Sequence, residues 1–196
     1  IKTYYQRDSI VIHPPVDLQR YRPQANPGDY FLIVSRLIPY KRIDLAIEAF
    51  SRLSRRLVIV GTGPEEKKLR SLAGPNVEFA GWAGEKDLVD YYGRCRALIF
   101  PAEEDFGIAP VEAMSTGKPV IAFAGGGALE TVVDERTGIF FSEQTAGALI
   151  AAVQRFERTR FDAAAIRMHA GRFGRDLCKS RLLEHLTRIC RGEGLS

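Results

Sequence analysis

Two glutamates, eight positions apart, are the residues of this sequence best suited to bind a ligand. Segment 101–123 predicts a strand end, a loop, a helix with Pro110 in its first turn, and a second strand. Glu104 then lies in the loop and Glu112 on the helix, and the backbone N–H groups of Phe106 to Ala109 point out of the helix N-terminus. Carboxylates that accept hydroxyl groups, beside a site that attracts anions, suit a ligand that is part sugar and part phosphate. Taken alone, the pair is explained at least as well as ordinary surface acids near a helix start.

The composition limits the classes of protein to which this chain can belong. The chain has 196 residues, 45% of them hydrophobic and 27% charged, which is typical of a globular domain that buries its own core. Three distant cysteines and three histidines without ligand spacing argue against a disulfide scaffold and a zinc site, so we expect no metal and a reducing compartment. There is no apolar run of about 18 residues, and the opening IKTYYQRDSI is unlike a signal peptide. These features predict a cytoplasmic protein.

The net charge of +4 is concentrated toward the C-terminal end. A solvated helical face is the ordinary explanation of these cations. Attraction to an anionic lipid surface is the alternative, which would add peripheral contact with the inner face of the cell membrane. Nucleic acid is not an expected partner, because the cations lack interleaved aromatic residues and a known binding motif.

Strands and helices alternate along the chain. Short apolar runs predict strands at 9–13, 30–35, 57–60, 77–79, 97–100, 120–123 and 138–141, with helices between the later ones and three more at 145–157, 161–170 and 175–190. This alternation predicts an α/β fold, a Rossmann-like doubly wound parallel sheet with helices on both faces and a helical C-terminal tail. We divide the chain into a linker with a first short strand (1–29), a ligand-binding domain (30–172) and the tail (173–196).

Two loops after predicted strands carry residues suited to phosphate. In SRLIPYKR (35–42), Arg36 and Lys41 are placed to reach a diphosphate, with a solubilising loop as the alternative. In VGTGPEEKKL (60–69), a dinucleotide-binding motif fails because Glu66 stands where the third glycine belongs. A tight strand-to-helix turn is the better interpretation of that segment.

Two further loops are candidates for close contact with a ligand. Trp82, in FAGWAGEKDL (79–88), is a candidate to line a pocket for a flat base, although a lone tryptophan is more often used in packing. The three glycines of AGGGALETV allow the backbone to approach a ligand closely, and Glu130 beside them is either a ligand contact or a simple helix-start acid. A glycosidase acid pair is not favoured for Glu104 and Glu112, because a helix N-terminus and basic loops keep both carboxylates ionised.

Taken in order, these segments resemble the C-terminal half of family 4 glycosyltransferases, which are retaining enzymes of the GT-B fold. The resemblance runs from IVIHPPVDLQRYRP (10–23) through SRLIPYKR, VGTGPE, the glutamate pair, GKPVIA, GGGALETV and TGIFF. It is closest to mannosyltransferases of cell-surface polysaccharide assembly. The acceptor domain of such enzymes has no counterpart here, so we expect the donor-binding half.

The resemblance implies a role for each candidate residue. Arg36 and Lys41 match the pair that holds the donor diphosphate, and Glu104 matches the acid that orients the donor sugar. Glu112 matches the acid that binds the ribose. The assisting backbone is that of Phe106, Gly107, Ile108 and Ala109, and the looser match to the base-binding edge is Gly81 with Trp82.

The implied function is transfer of a hexose, mannose favoured, from a nucleotide-diphosphate sugar to a glycan or lipid-linked acceptor. The donor is a substrate, with GDP-mannose favoured, and no separate cofactor is expected. The alternatives are a nucleotide-sugar epimerase and a non-catalytic nucleotide-sugar-binding module. A glycan phosphorylase is a weaker candidate, since it needs a pyridoxal-type lysine site and no such motif is present.

Overall fold

Six parallel strands form one sheet, in the spatial order β3-β2-β1-β4-β5-β6. The structure, a computed structural model, describes residues 2–24 and 26–191. The strands are β1 (Phe31–Val34), β2 (Leu57–Val60), β3 (Val77–Gly81), β4 (Leu98–Phe100), β5 (Val120–Phe123) and β6 (Gly138–Phe141). The direction of winding reverses between β1 and β4, and the crevice at the carboxyl ends of these two strands is where such sheets bind ligands. The predicted doubly wound fold is confirmed.

Helices cover both faces of the sheet. They are α1 (Lys2–Tyr5), α2 (Ile43–Arg52), α3 (Glu66–Leu72), α4 (Glu85–Arg94), α5 (Ile108–Ser115), α6 (Ala128–Thr131), α7 (Ala146–Arg158), α8 (Ala163–Ala170) and α9 (Arg175–Cys190). Helices α2, α3 and α7 pack on one face, and α4, α5, α6 and α8 pack on the other. Successive side chains of β1 point to opposite faces of the sheet. Phe31 and Ile33 are buried in one hydrophobic core and Leu32 in the other, as the two-residue period of a strand requires.

The predicted strand at 9–13 is wrong. These residues are irregular, and Val11 is 69% exposed. Apolar residues form a strand only where a neighbouring strand completes their backbone hydrogen bonds, and residues 9–13 have none in the described part of the chain. The nearest pairing is a single bridge between Val16 and Gly174.

The segment that follows packs onto the sheet. Val16 and Tyr21 are buried in the same core layer as α4 and α5. The division at 29/30 and 172/173 stays a prediction, and residues 1, 25 and 192–196 of the predicted linker and tail lie outside the described residues.

Helix α9 packs little against the rest of the protein. It contains no buried residue, and five of its large apolar side chains are exposed: Leu177, Leu182, Leu183, Leu186 and Ile189. Within residues 2–24 and 26–191, none of the helices combines the length and the hydropathy needed to cross a membrane.

Candidate functional site

A cavity of about 780 Å³ opens at the carboxyl edge of the sheet, between the loop after β1 and the loop after β4. Its volume lies within the range of small-molecule sites, roughly 300–1,000 Å³. The predicted residues that line it are Arg36, Lys41, Glu104, Phe106, Gly107, Ile108, Ala109 and Glu112. The fold therefore brings the two loops together, while the roles of their residues stay predictions.

Lys41 and Glu104 form an ion pair within this cavity. The Nζ atom of Lys41 lies 2.5 Å from Oε1 of Glu104, and the two side chains are 14% and 22% exposed. A 3-10 turn over Pro39–Lys41 delivers the lysine, and the proline at its first position suits a helical start. Because the pair is largely buried, salt screens it less than an exposed pair.

Glycines of the loop after β5 hold the backbone around Glu104. A Cβ atom at Gly126, whose φ is 54°, would collide with the carbonyl oxygen of Glu104, and one at Gly127 would collide with Phe106. The Gly127 N–H donates to the Glu104 carbonyl at 2.7 Å. The sequence pattern favours close approach of this backbone to a ligand. In the structure these glycines lie against the backbone of the loop after β4, a contact that a Cβ atom would prevent.

A second pair of glycines supports the loop that carries Arg36. Gly61 has a φ of 130°, and a Cβ atom there would collide with the Ser35 carbonyl; at Gly63 it would collide with Leu37. The predicted tight turn after β2 is confirmed, and α3 begins at Glu66 just after it. The side chain of Arg36 is exposed, and the backbone on either side of it packs closely against these two glycines.

Glu112 is held by two tyrosines that the sequence patterns do not single out. The hydroxyl of Tyr21 donates to Oε1 of Glu112 and that of Tyr92 to Oε2, both at 2.7 Å. Burial, and then the neighbouring carboxylate, raises the pKa of both phenols well above the ordinary value. Helical periodicity predicts that Tyr92 faces the core, but no signal in the proline-rich segment 16–29 pairs Tyr21 with a residue so distant along the chain.

The N-terminus of α5 lies beside the same cavity. The helix begins at Ile108, and Gly107 before it has a φ of 79° and no side chain to cap the first turn. Because the residues around this end line the cavity, their unpaired N–H groups and the positive end of the helix dipole are available to an anion.

A smaller cavity of about 390 Å³ adjoins the first and shares Arg36 with it. Trp82 contributes to its lining and is 79% exposed, so it does not serve as core packing. Gly81 precedes it with a φ of 73°, a conformation that glycine adopts at no steric cost. Its carbonyl accepts the Gly61 N–H at 2.7 Å, which fixes the strand end before the tryptophan.

His13 and Glu130 form a polar contact next to the site loop. Nε2 of His13 lies 2.7 Å from Oε2 of Glu130, and the histidine ring packs between Phe106 and Phe173. Glu130 is therefore more than a helix-start acid, because it ties the N-terminal segment to the loops of the sheet. Among the residues that the structure describes, no group of three or more His, Cys, Asp or Glu side chains is arranged to hold a metal ion.

Comparison with solved structures agrees with this architecture. The chain superposes on the apo form of the lipopolysaccharide outer core galactosyltransferase WaaB with a TM-score of 0.78, at 20% identity, covering 92% of this chain and 56% of that one. It superposes on Anabaena Alr3699/HepE, solved in complex with UDP and glucose, with a TM-score of 0.77, at 23% identity, covering 91% and 56%. The first of these neighbours is named as a galactosyltransferase, and at such identities the likeness establishes the fold alone, which is of the GT-B type.

Sequence relatives extend the comparison. The GDP-mannose-dependent alpha-mannosyltransferase of Mycobacterium tuberculosis is 32% identical, over 87% of this chain and 48% of that protein. The D-inositol 3-phosphate glycosyltransferase of Streptomyces scabiei is 29% identical, over 94% and 50%. The chain spans about half the length of these curated relatives. The family model described as "Glycosyl transferases group 1" matches residues 19–173, so the chain belongs to the group 1 glycosyl transferases.

Proposed function

We propose that the chain is the donor-binding, C-terminal half of a family 4 glycosyltransferase that transfers a hexose from a nucleotide-diphosphate sugar. The observation that carries the proposal is the grouping of Lys41, Glu104, Glu112 and the N-terminus of α5 around one cavity at the switch point of the sheet. Cations and helix N–H groups suit a diphosphate, and carboxylates suit hydroxyl groups. A nucleotide sugar presents both in one molecule.

The cationic part of the site receives the diphosphate. Arg36 offers a planar fork of donors and Lys41 a mobile point charge, and the N-terminus of α5 adds its unpaired N–H groups. Glu104 accepts hydroxyl groups of the hexose, with the backbone of 106–109 beside it. Lys41 is paired with Glu104, so donor binding replaces or shares that contact.

The remaining contacts lie on the nucleoside side. Glu112 accepts hydroxyl groups of the ribose, and the smaller cavity that Trp82 lines receives the base. The two cavities share Arg36, which supports a diphosphate bound between the proposed sugar and base subsites. Trp82 is exposed and offers a flat apolar face for stacking.

The chemical demand on the site is negative charge that grows on the leaving diphosphate. As the bond from the anomeric carbon to the diphosphate oxygen breaks, the sugar takes on oxocarbenium character, the acceptor oxygen forms the new bond, and the proton of the acceptor hydroxyl passes to the leaving diphosphate. In this proposal Arg36, Lys41 and the α5 N-terminus supply positive charge that stabilises the leaving oxygen. Front-face attack with retention of configuration is part of the proposal, on the resemblance to family 4.

GDP-mannose is the favoured donor. Its support is the naming of two mycobacterial relatives as GDP-mannose-dependent mannosyltransferases. A glycan or lipid-linked acceptor, in the cytoplasm or at the inner face of the membrane, would be held by the half of the enzyme beyond this chain. The epimerase and the non-catalytic binding module are not favoured, because the curated relatives cited above are named as glycosyltransferases.

The test is a thermal-shift and calorimetric screen of the chain against GDP, UDP, ADP and their hexose conjugates. We expect GDP and GDP-mannose to stabilise the folded state most, by about 2.7 kcal/mol at one hundred times Kd. Preference for UDP would overturn the donor assignment and leave the site intact. Absence of any stabilisation by a nucleoside diphosphate would overturn the proposed function.

A further inference from the structure

The carboxylate of Glu112 is held by two tyrosine hydroxyls. Tyr21 donates to one oxygen and Tyr92 to the other, each at 2.7 Å, and the two rings meet edge to face with centroids 5.4 Å apart. Both residues are buried, at 4% and 0% exposure. Tyr21 comes from the segment before β1 and Tyr92 from α4, so two distant parts of the chain fix one carboxylate.

This arrangement leaves a defined part of Glu112 free. A carboxylate offers about four lone-pair positions, and the two tyrosines occupy one on each oxygen. About one acceptor position per oxygen therefore remains, and Glu112 and Tyr92 line the large cavity together. Two adjacent acceptors on one planar group match two adjacent hydroxyl groups of a ligand, such as the 2′ and 3′ hydroxyls of a ribose.

We propose that Tyr21 and Tyr92 are positioning residues that make the site selective for ribonucleotides over deoxyribonucleotides. They hold Glu112 in the one orientation in which both free acceptor positions meet ribose hydroxyls. A site built to hydrogen-bond a hydroxyl rejects the analogue that lacks it, because its acceptor is then left unpaired. The inference rests on the proposed function, which assigns Glu112 to the ribose.

The protonation of the two phenols supports the same role. Burial, together with the charge of Glu112, raises the pKa of each phenol above its ordinary value, so both hydroxyls remain donors in the alkaline range as well as at neutral pH. The competing explanation is that the rings only fill the core beneath α5. Phenylalanine would then serve equally well at both positions, and this difference makes the inference testable.

The experiment compares the chain with its Tyr21→Phe, Tyr92→Phe and double variants. Calorimetry measures GDP against 2′-deoxy-GDP, and UDP against 2′-deoxy-UDP, with Glu112→Gln as the variant that replaces one acceptor oxygen of the proposed ribose contact with a donor NH2 group. Tyr30→Phe is the matched control, because Tyr30 is also buried and its hydroxyl donates to a backbone carbonyl, that of Tyr91, at 2.9 Å. Circular dichroism checks that each variant is folded.

We expect each tyrosine substitution to lower the ratio of ribonucleotide to deoxyribonucleotide affinity by about fivefold, the equivalent of one net hydrogen bond. Tyr30→Phe should leave the ratio unchanged. The inference is overturned if Tyr21→Phe and Tyr92→Phe both keep the wild-type ratio of affinities while Glu112→Gln lowers that ratio.

Other outcomes separate this inference from the proposed function. Wild-type binding without a preference for ribose would overturn the inference and leave nucleotide binding intact, whereas no nucleotide binding would overturn both. Should a tyrosine variant fail to fold, a crystal structure of the wild-type chain with GDP decides the question. Both hydroxyls bonded to Glu112 while it accepts from the ribose would support the inference, and displaced tyrosines would overturn it.

Discussion

The Nζ atom of Lys41 lies 2.5 Å from Oε1 of Glu104, so a cation proposed to bind the diphosphate and a carboxylate proposed to bind the sugar neutralise each other. A largely buried charge is costly without a partner, because it has lost much of its hydration. The pair keeps both groups charged and close to the place where a donor would need them. A bound donor offers each group a new partner, phosphate for the lysine and hydroxyl groups for the glutamate.

The first prediction concerns Lys41→Ala. We expect it to weaken binding of GDP by about 1.5–3 kcal/mol more than binding of guanosine, because hydrogen bonds to charged groups have this size. Calorimetry with both ligands measures the difference. Lys68→Ala is the control, since Lys68 forms an exposed ion pair with Glu65 at 2.9 Å. Equal losses for the diphosphate and the nucleoside would contradict the diphosphate role.

The second prediction separates the two glutamates. Glu112→Gln should reduce affinity for GDP and for GDP-mannose to a similar extent, because the ribose is common to both. Glu104→Gln should reduce affinity for GDP-mannose without reducing affinity for GDP, because it removes a sugar contact and leaves Lys41 free for the diphosphate. Titration of both ligands into both variants checks this, and a loss of GDP affinity in Glu104→Gln as large as in Glu112→Gln would refute the division of roles.

The third prediction concerns the glycines that support the site loop. Gly126→Ala should lower the free energy of unfolding by roughly 1–3 kcal/mol, because the residue has a positive φ and its new Cβ would meet the Glu104 carbonyl. Urea denaturation measures the change, and donor affinity should fall with it. Gly147→Ala is the control, because a Cβ there meets nothing within 4 Å. Equal stability of the two variants would show that the loops do not depend on this contact.

The fourth prediction concerns the chain by itself. We expect it to fold, to bind a nucleotide sugar and to show little or no transfer. Both faces of its sheet are covered by helices, but transfer requires an acceptor held in attack geometry and a closed site. Assays with labelled GDP-mannose and lipid extracts test this, and robust transfer by the 196-residue chain would refute the half-enzyme proposal.

The last prediction concerns the tail. Helix α9 has no buried residue, so its amide hydrogens should exchange faster than those of α7, which buries Leu149 and Val153. Hydrogen exchange followed by mass spectrometry measures both helices in one experiment. Protection of α9 equal to that of α7 in a monomer would show that the tail is packed against the body of the protein.

Most of the sheet could be predicted from the sequence. Strands β2, β5 and β6 have the predicted bounds, and the bounds of the other strands shift by two residues or fewer. Continuous apolar runs between helical segments are a local signal, and a strand buried on both faces must carry one. Residues 9–13 carry a similar run and are irregular, because no strand in the described part of the chain pairs with them.

The candidate site, like the sheet, could be predicted from the sequence only in part. The sequence by itself determined which loops carry the candidate groups, because each group follows a strand and parallel strands end at one edge. Only the tertiary structure decided the partners of those groups: Lys41 with Glu104, Glu112 with Tyr21 and Tyr92, and His13 with Glu130. Local patterns record the conformation of a segment and the face it buries. Pairing between residues distant along the chain depends on how the loops pack in space, so it leaves no signal within either segment.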